Sequence, residues 1–215
     1  MNPVIEFQNV SKVFKEGQSA VDNVSFQILP GTAVAFLGPN GSGKSTSISM
    51  MLGLMKPTSG TVKLFNGKPE SRRLHQRLGV MLQGVNVLDL LTVRETINLL
   101  RSYYSNSLST SHLLKVANLE HEADTLATKL SGGQMRRLQF ALALVGNPDV
   151  LFLDEPTVGM DFTSRQIFWQ ELHQFIADGK TLLLTTHDLH EADSMADHVI
   201  VIDHRKLLQM TPLSD

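Results

Sequence analysis

Residues 38–46 read Gly-Pro-Asn-Gly-Ser-Gly-Lys-Ser-Thr and match the pattern G-x-x-x-x-G-K-[ST] without mismatch. The apolar run Ala33–Leu37 leads into this stretch, and Ser47–Leu54 can continue from it as a helix. Strand, glycine-rich loop and helix, in that order, is the setting the pattern needs. Glycines let the backbone fold back so that its N–H groups converge on phosphate oxygens, and the helix that follows turns its positive end to the same anion. The pattern therefore assigns Gly38, Pro39, Asn40, Gly41, Ser42, Gly43, Lys44, Ser45 and Thr46 to a phosphate cradle. Within it, Lys44 reaches the β- and γ-phosphates and Ser45 ligates Mg²⁺. The rival reading is an ordinary glycine-rich turn. A chance match in a chain of this size is on the order of 1%, which disfavours it.

Working outward from the cradle, strands are expected at Val4–Val10, Val21–Ile28, Ala33–Leu37, Gly79–Gln83, Val150–Asp154, Thr181–Thr186 and His198–Asp203. Val150–Leu153, Leu182–Leu184 and Val199–Ile202 are almost unbroken apolar stretches, as strands buried on both faces of a parallel sheet are. Helical patterns lie between them, so the fold class is α/β with a mainly parallel sheet. Two early strands precede the first helix and are expected to form a small antiparallel β subdomain. Residues 84–147 contain no convincing strand. Thr92 and Glu95 have capping-box spacing, Val93, Ile97, Leu100 and Tyr104 recur at helical intervals, and Ser102–Ser111 reads as a solvated loop. The expected organisation is a single domain over 1–215. Its core covers about 1–83 and 148–215, with an inserted helical subdomain at about 84–147. No repeat of 20–50 residues is evident.

Two further stretches carry chemistry. Val150–Glu155 reads VLFLDE, so two carboxylates appear where a buried strand ends, the place where open α/β sheets bind ligands. Asp154 is the natural metal partner of the phosphate loop, and Glu155 can orient or deprotonate an attacking water. The alternative is a pair of solvent-facing acids. Leu130–Gln134 reads LSGGQ, with Ser131 and Gln134 at capping-box spacing before the apolar positions Leu138, Ala141, Leu142 and Val145. Glycines in a first helical turn cost about 1 kcal/mol each. Gly132 and Gly133 make sense where an anion must approach the backbone closely, against the alternative of a plain capped helix.

The composition bounds the class. The 215 residues are 42% hydrophobic, enough for a sizeable core, and carry 19 basic and 21 acidic side chains for a formal charge of −2. That balance lacks the basic surplus of a non-specific nucleic-acid binder, and no nucleic-acid partner is expected. With no cysteine, disulfides, zinc–thiolate centres and thiol catalysis are excluded. No apolar run approaches the roughly 18 residues of a membrane-spanning helix. The start, MNPVIEFQNV, has no signal-peptide pattern, so a cytoplasmic protein that meets a membrane through a partner is expected. The chain stops soon after its last strand, and no regulatory C-terminal domain is expected.

GPNGSGKST, LSGGQ and LDEPT (Leu153–Thr157), in this order, resemble the ATP-binding cassette family over nearly the whole chain. The segment from Leu130 to Asp161 is most similar to the nucleotide-binding subunits of bacterial drug, antibiotic and polysaccharide exporters. The resemblance implies a P-loop NTPase core, ATP and Mg²⁺ as ligands, and ATP hydrolysis coupled to translocation through a separate integral membrane permease. The chain would then lie peripherally on the inner face of the cell membrane. It also implies a head-to-tail dimer, with a second copy or a related subunit, in which each ATP lies between one phosphate loop and the partner's LSGGQ.

By the same resemblance Phe14 stacks on adenine, with a buried core Phe as the alternative reading. Gln83 contacts Mg²⁺ and water, with a solvent-exposed Gln as its alternative. Gly159–Asp161 matches a loop that usually reads GLD, so Asp161 belongs to the nucleotide interface or simply caps the following helix. His187 contacts the γ-phosphate. Asp188 and Glu191, just after it, have capping-box spacing. His187 and His190 lack a third ligand for a metal. Val85, Val87, Leu88, Leu90 and Leu91 suit a dock for a permease helix or, alternatively, the cassette's own core. Two other functions stay in view. One is a soluble ABC-type ATPase working on a non-transport assembly; the other is a nucleotide-sensing scaffold. The short helical insertion and the presence of Lys44, Asp154, Glu155 and His187 together favour the transporter subunit.

Overall fold

Alternation decides the first strand. Ile5 and Phe7 are buried at period-2 spacing, as in a sheet with one face on a core, and an irregularity at Asn9 (φ 49°) shifts the register by one residue so that Val10 turns inward while Gln8 and Asn9 face solvent. The computed structural model describes residues 2–15, 17–82, 87–203 and 205–212, with side chains through Leu207. In chain order the elements are β1 (Ile5–Val13), β2 (Ser19–Ile28), β3 (Ala33–Leu37), α1 (Lys44–Met51), β4 (Ser59–Leu64), α2 (Arg72–His75), β5 (Leu78–Met81) and α3 (Val93–Arg101). They continue as α4 (Thr110–Val116), α5 (Gly132–Leu144), β6 (Val150–Asp154), α6 (Phe162–Ala177), β7 (Thr181–Thr185), α7 (Leu189–Met195), β8 (His198–Asp203) and β9 (Lys206–Pro212). A 3₁₀ turn, Ala127–Lys129, precedes α5. The chain divides into two compact units, Met1–His75 with Thr181–Asp215, and Gln76–Lys180.

In the first unit, β2, β1 and β4 form an antiparallel sheet in that order, with Phe7 opposite Phe26 on one side and Val62 on the other. The Phe7 and Phe26 rings stack at 4.5 Å, and Phe26 meets Phe36 of β3 edge-on at 5.8 Å. The early antiparallel subdomain is as expected from sequence, but β4 is a third member that the sequence does not announce. Only Val62 and Leu64 are buried in it, too few to mark a period. β7, β3 and β8 lie parallel, with Val34 opposite Leu183 and Ala35 opposite Val199, and β9 closes the edge antiparallel to β8. All of β7 and the first four residues of β3 are buried, which accounts for their unbroken apolar runs.

In the second unit β5 and β6 pair in parallel, Leu78 opposite Val150 and Met81 opposite Leu153. The strand expected at Gly79–Gln83 ends at Met81; Gln83, Gly84, Val85 and Asn86 lie outside the described residues. α5 presses on β5 so closely that a Cβ on Gly79 would stand 2.3 Å from the carbonyl oxygen of Ala143. Phe140 of α5 meets Phe168 of α6 edge-on at 4.7 Å. The Thr92–Glu95 capping box forms at the start of α3. The Ser102–Ser111 stretch is not all loop, because Ser109 caps α4. This unit carries β5, β6 and α6 in addition to α3–α5. Among the described residues no helix is long and apolar enough to cross a membrane.

Candidate active site

Helices α3 to α7 each begin with a side chain that accepts a hydrogen bond from their first turn. α1 begins differently. Its N-cap is Gly43 at φ 109°, with no side-chain cap, so the orphan N–H groups of the first turn face an anion site and not a capping oxygen. Gly41 (φ 78°) and Gly43 hold the left-handed conformations that turn successive amides inward. Neither Gly38 nor Gly43 tolerates a side chain: a Cβ would lie 2.1 Å from the Ile202 carbonyl oxygen at Gly38 and 2.3 Å from that of Ala20 at Gly43. Lys44 folds over the loop and donates from Nζ to the carbonyls of Gly38 (2.6 Å) and Pro39 (3.1 Å). The hydroxyls of Ser42 and Ser47 are buried and have no hydrogen-bond partner among the described residues, whereas Ser45 is exposed at the helix start. The loop thus offers uncapped amides, a lysine and a free hydroxyl to one polyanion.

Other predicted residues of the first unit are placed as follows. Phe14 follows β1 with 40% of its surface exposed and Lys12 Nζ 5.8 Å from the ring centroid, so its face is open and not part of the core. His187 is exposed just after β7. The loop that carries it is tied from below: the Asp188 amide donates to Thr186 Oγ1 at 3.0 Å, and Thr186 Oγ1 donates to buried Glu191 at 2.7 Å. That bond corrects the capping box expected of Asp188 and Glu191. Asp188 caps α7 through the His190 amide, while Glu191 turns inward to Thr186. A buried carboxylate needs a donor more than a solvated helix start needs a second acceptor.

In the second unit Asp154 ends β6, and Glu155 follows at φ 45°, left-handed for a residue with a Cβ. Ser131 and Gln134 form the expected capping box of α5. Gln134 also donates to Glu122 at 3.0 Å. Around Gly132 a Cβ would meet nothing within 4 Å among the described residues, so none of them calls for a glycine there. A Cβ on Gly133 would stand 3.1 Å from the Ser164 hydroxyl. Asp161 caps α6 by accepting from the Ser164 amide at 2.7 Å, and its hydrogen bonds to Ser164 hold its carboxyl below the usual range. The buried Met160 fills the place of the commoner leucine.

These features have counterparts of known kind. The sequence profile described as ABC transporter matches residues 21–158. The chain belongs to the ABC transporter ATP-binding cassette family. It is 42% identical over 216 residues to the Nod factor export ATP-binding protein I of Burkholderia lata, spanning 97% of this chain and 71% of that protein. The corresponding protein of Ralstonia nicotianae is 38% identical, over 98% and 68%. A dimeric bacterial ABC transporter cassette superposes with a TM-score of 0.87 at 32% identity, over 98% of this chain and 99% of the other. A dimeric post-hydrolysis cassette bound to ADP and Pi gives 0.87 at 31%, with the same coverage.

The cassette is therefore a P-loop ATPase, the ATP-binding and ATP-hydrolysing subunit of an ABC transporter, with Mg²⁺-ATP as its substrate. Its oxygen donors suit Mg²⁺, and among the described residues no group of three or more His, Asp or Glu forms a rival metal centre. Sequence reasoning missed three groups beside the motifs. Asp203, which ends β8, and Arg205, just after it, line a cavity of about 450 Å³ with Pro39, Asn40, Gly41 and Ser42. Thr186 and Glu191 form the buried tie under His187. Arg136 on α5 reaches the Glu155 turn. The first and last depend on neighbours distant in sequence, and the Thr186–Glu191 tie, though only five residues long, has no spacing that marks it.

Proposed function

We propose that the cassette powers export through a separate membrane permease, closing head-to-tail on ATP with a second copy or a related subunit and opening after hydrolysis. The observation that carries this reading is the pair of glycine-bearing helix starts, α1 uncapped behind the glycine-rich loop and α5, which Ser131 caps at the Gln134 amide but whose first two residues are Gly132 and Gly133. One chain needs a single such start to hold its own nucleotide. Gly132, with no described residue within 4 Å of where its Cβ would stand, fits a second start meant for the partner's ATP. The curated relatives, export ATP-binding proteins aligned over nearly the whole chain, support export as the direction.

The roles follow. The phosphate loop, Gly38–Thr46, wraps the phosphates, with Lys44 on the β- and γ-groups. Ser45, Asp154 and Gln83 hold Mg²⁺. Glu155 orients or deprotonates the attacking water and His187 contacts the γ-phosphate. Phe14 presents its exposed ring to adenine. Ser131, Gly132, Gly133, Gln134 and Asp161 complete the sandwich from the partner. The permease is met through residues 87–91, where Leu88 and Leu90 are 60% and 84% exposed. The chain accordingly works at the inner face of the cell membrane, and residues 1–215 act as one ABC domain whose helical portion, about 84–147, carries the dock and LSGGQ.

Steady-state hydrolysis of wild type, Lys44→Ala and Glu155→Gln with Mg²⁺ over a range of protein concentrations tests the reading. The expected result is a rate that rises more than linearly with protein and is lost in both variants, with ATP binding kept in Glu155→Gln. Normal turnover by Glu155→Gln rules out Glu155 as the base.

A further inference from the structure

Two arginines follow the glycine start of α5, and they are used differently. Arg137 braces the helix, donating from Nε to the Ala117 carbonyl at 2.8 Å and from Nη1 to the Ser164 hydroxyl. Arg136 reaches out of its helix. Its Nη2 donates to the carbonyl of Glu155 and its Nε to the carbonyl of Val158, both at 3.3 Å, while Nη1 meets Gln139 Oε1 at 3.3 Å. The side chain is half-buried. Burial pushes its guanidinium below the ordinary range against the pull of the Asp154 and Glu155 carboxylates, so the group is held close to both acids at a desolvation cost. The turn it grips is the strained one, entered at Glu155 with φ 45°. Such a conformation persists at a non-glycine residue only where its surroundings over-determine it. Two carbonyls of one turn, held by a single planar fork, are such a constraint.

We propose that Arg136 is a positioning residue for ATP hydrolysis: its guanidinium clamps the carbonyls of Glu155 and Val158 and so fixes the turn that directs the Glu155 carboxylate. Arg136 lies one helical turn beyond Gly132 on α5, so the clamp also makes the glycine start and the Glu155 turn move together. The inference rests on the reading of Glu155 as the water-activating group.

The test compares the full chain with Arg136→Met, Arg136→Lys and Glu155→Gln, measuring kcat, KM for ATP, ATP affinity and thermal midpoint. Methionine matches the length of the stem without donors. A clamp predicts that Arg136→Met lowers kcat at least tenfold while KM and ATP affinity stay within twofold and the midpoint does not fall. Arg136→Lys should also be slow, because its single nitrogen cannot stand at both the Nε and the Nη2 positions from which the two carbonyls are reached; it carries the same readout should the methionine variant fail to fold. Wild-type kcat in either folded variant overturns the proposal, as does a kcat loss matched by weaker ATP binding. Loss of activity in Glu155→Gln with full activity in Arg136→Met sinks the clamp alone, whereas normal turnover in Glu155→Gln sinks the reading on which it rests.

Discussion

Arg205 stands at φ 73° in the turn between β8 and β9, flanked by Asp203 and Lys206, which pair across the hairpin. The carbonyl of Arg205 accepts from the Asp22 amide at 2.8 Å, so the turn is pinned to β2 and cannot relax by shifting. A left-handed non-glycine residue costs about 1–2 kcal/mol, part of which glycine returns as lost chain entropy. Arg205→Gly should therefore raise stability by about 0.5–1 kcal/mol in chemical denaturation, and an unchanged or lower midpoint would show that the side chain contributes more than the strain costs. Thr186 is the opposite case. Its hydroxyl is the donor to Glu191, a carboxylate only 8% exposed, so Thr186→Val should destabilise the cassette by about 2 kcal/mol. The same change loosens the loop of His187, and hydrolysis should fall further than the loss of folded protein explains.

At the scale of elements, helix starts contribute to the pH dependence. Glu95, hydrogen-bonded to the amide and hydroxyl of Thr92, and Asp161, hydrogen-bonded to Ser164, both titrate below their ordinary range. Asp124, bonded to Arg94, does the same. A carboxyl whose folded pKa is depressed adds stability that is present above the unfolded value, about pH 4, and is lost as pH falls through the folded one. Asp161→Asn keeps a capping oxygen but not the charge, so in denaturation followed against pH it should lose stability above about pH 4, match wild type below the folded pKa, and so flatten the acid limb of the stability curve; an acid limb identical to wild type would place the titration elsewhere. Thr92→Ala should cost about 1 kcal/mol at any pH where the fold persists.

These same elements show what a sequence makes visible. β3, β6 and β7 are legible because strands buried on both faces must be apolar throughout, and the boxes at Thr92 and Ser131 because a cap is a local device with fixed spacing. β4 is not legible, since its pairing with β1 is long-range and only Val62 and Leu64 point inward. Asp188 and Glu191 have the spacing of a cap without the geometry, because the buried hydroxyl of Thr186, five residues before it, claims Glu191. Within the site, the motifs could be read at once, whereas the fork of Arg136 and the cavity beside Asp203 and Arg205 exist only after distant segments have met.

At the scale of the whole molecule the informative residue is Gly132. A glycine inside a regular element ordinarily reports crowding by a neighbour, as Gly79 of strand β5 does beneath α5. Gly132 has no such neighbour among the described residues within 4 Å of where its Cβ would stand, and it occupies the first turn of a helix that any other residue would favour by up to about 1 kcal/mol. The monomer alone therefore prefers a side chain there. In a dimer that lays the partner's ATP across this helix start, the same side chain would hold the phosphate away from the amides of α5. Gly132→Val consequently separates the two scales. The isolated subunit should melt at or above the wild-type temperature and bind ATP through its own phosphate loop unchanged. ATP-dependent dimerisation, followed by size-exclusion chromatography in a Glu155→Gln background that holds nucleotide, should be lost, and hydrolysis should fall at least tenfold when Glu155 is restored. A Gly132→Val cassette that dimerises on ATP and turns over like wild type would mean that nothing approaches this backbone, and the second helix start would then be only a cap.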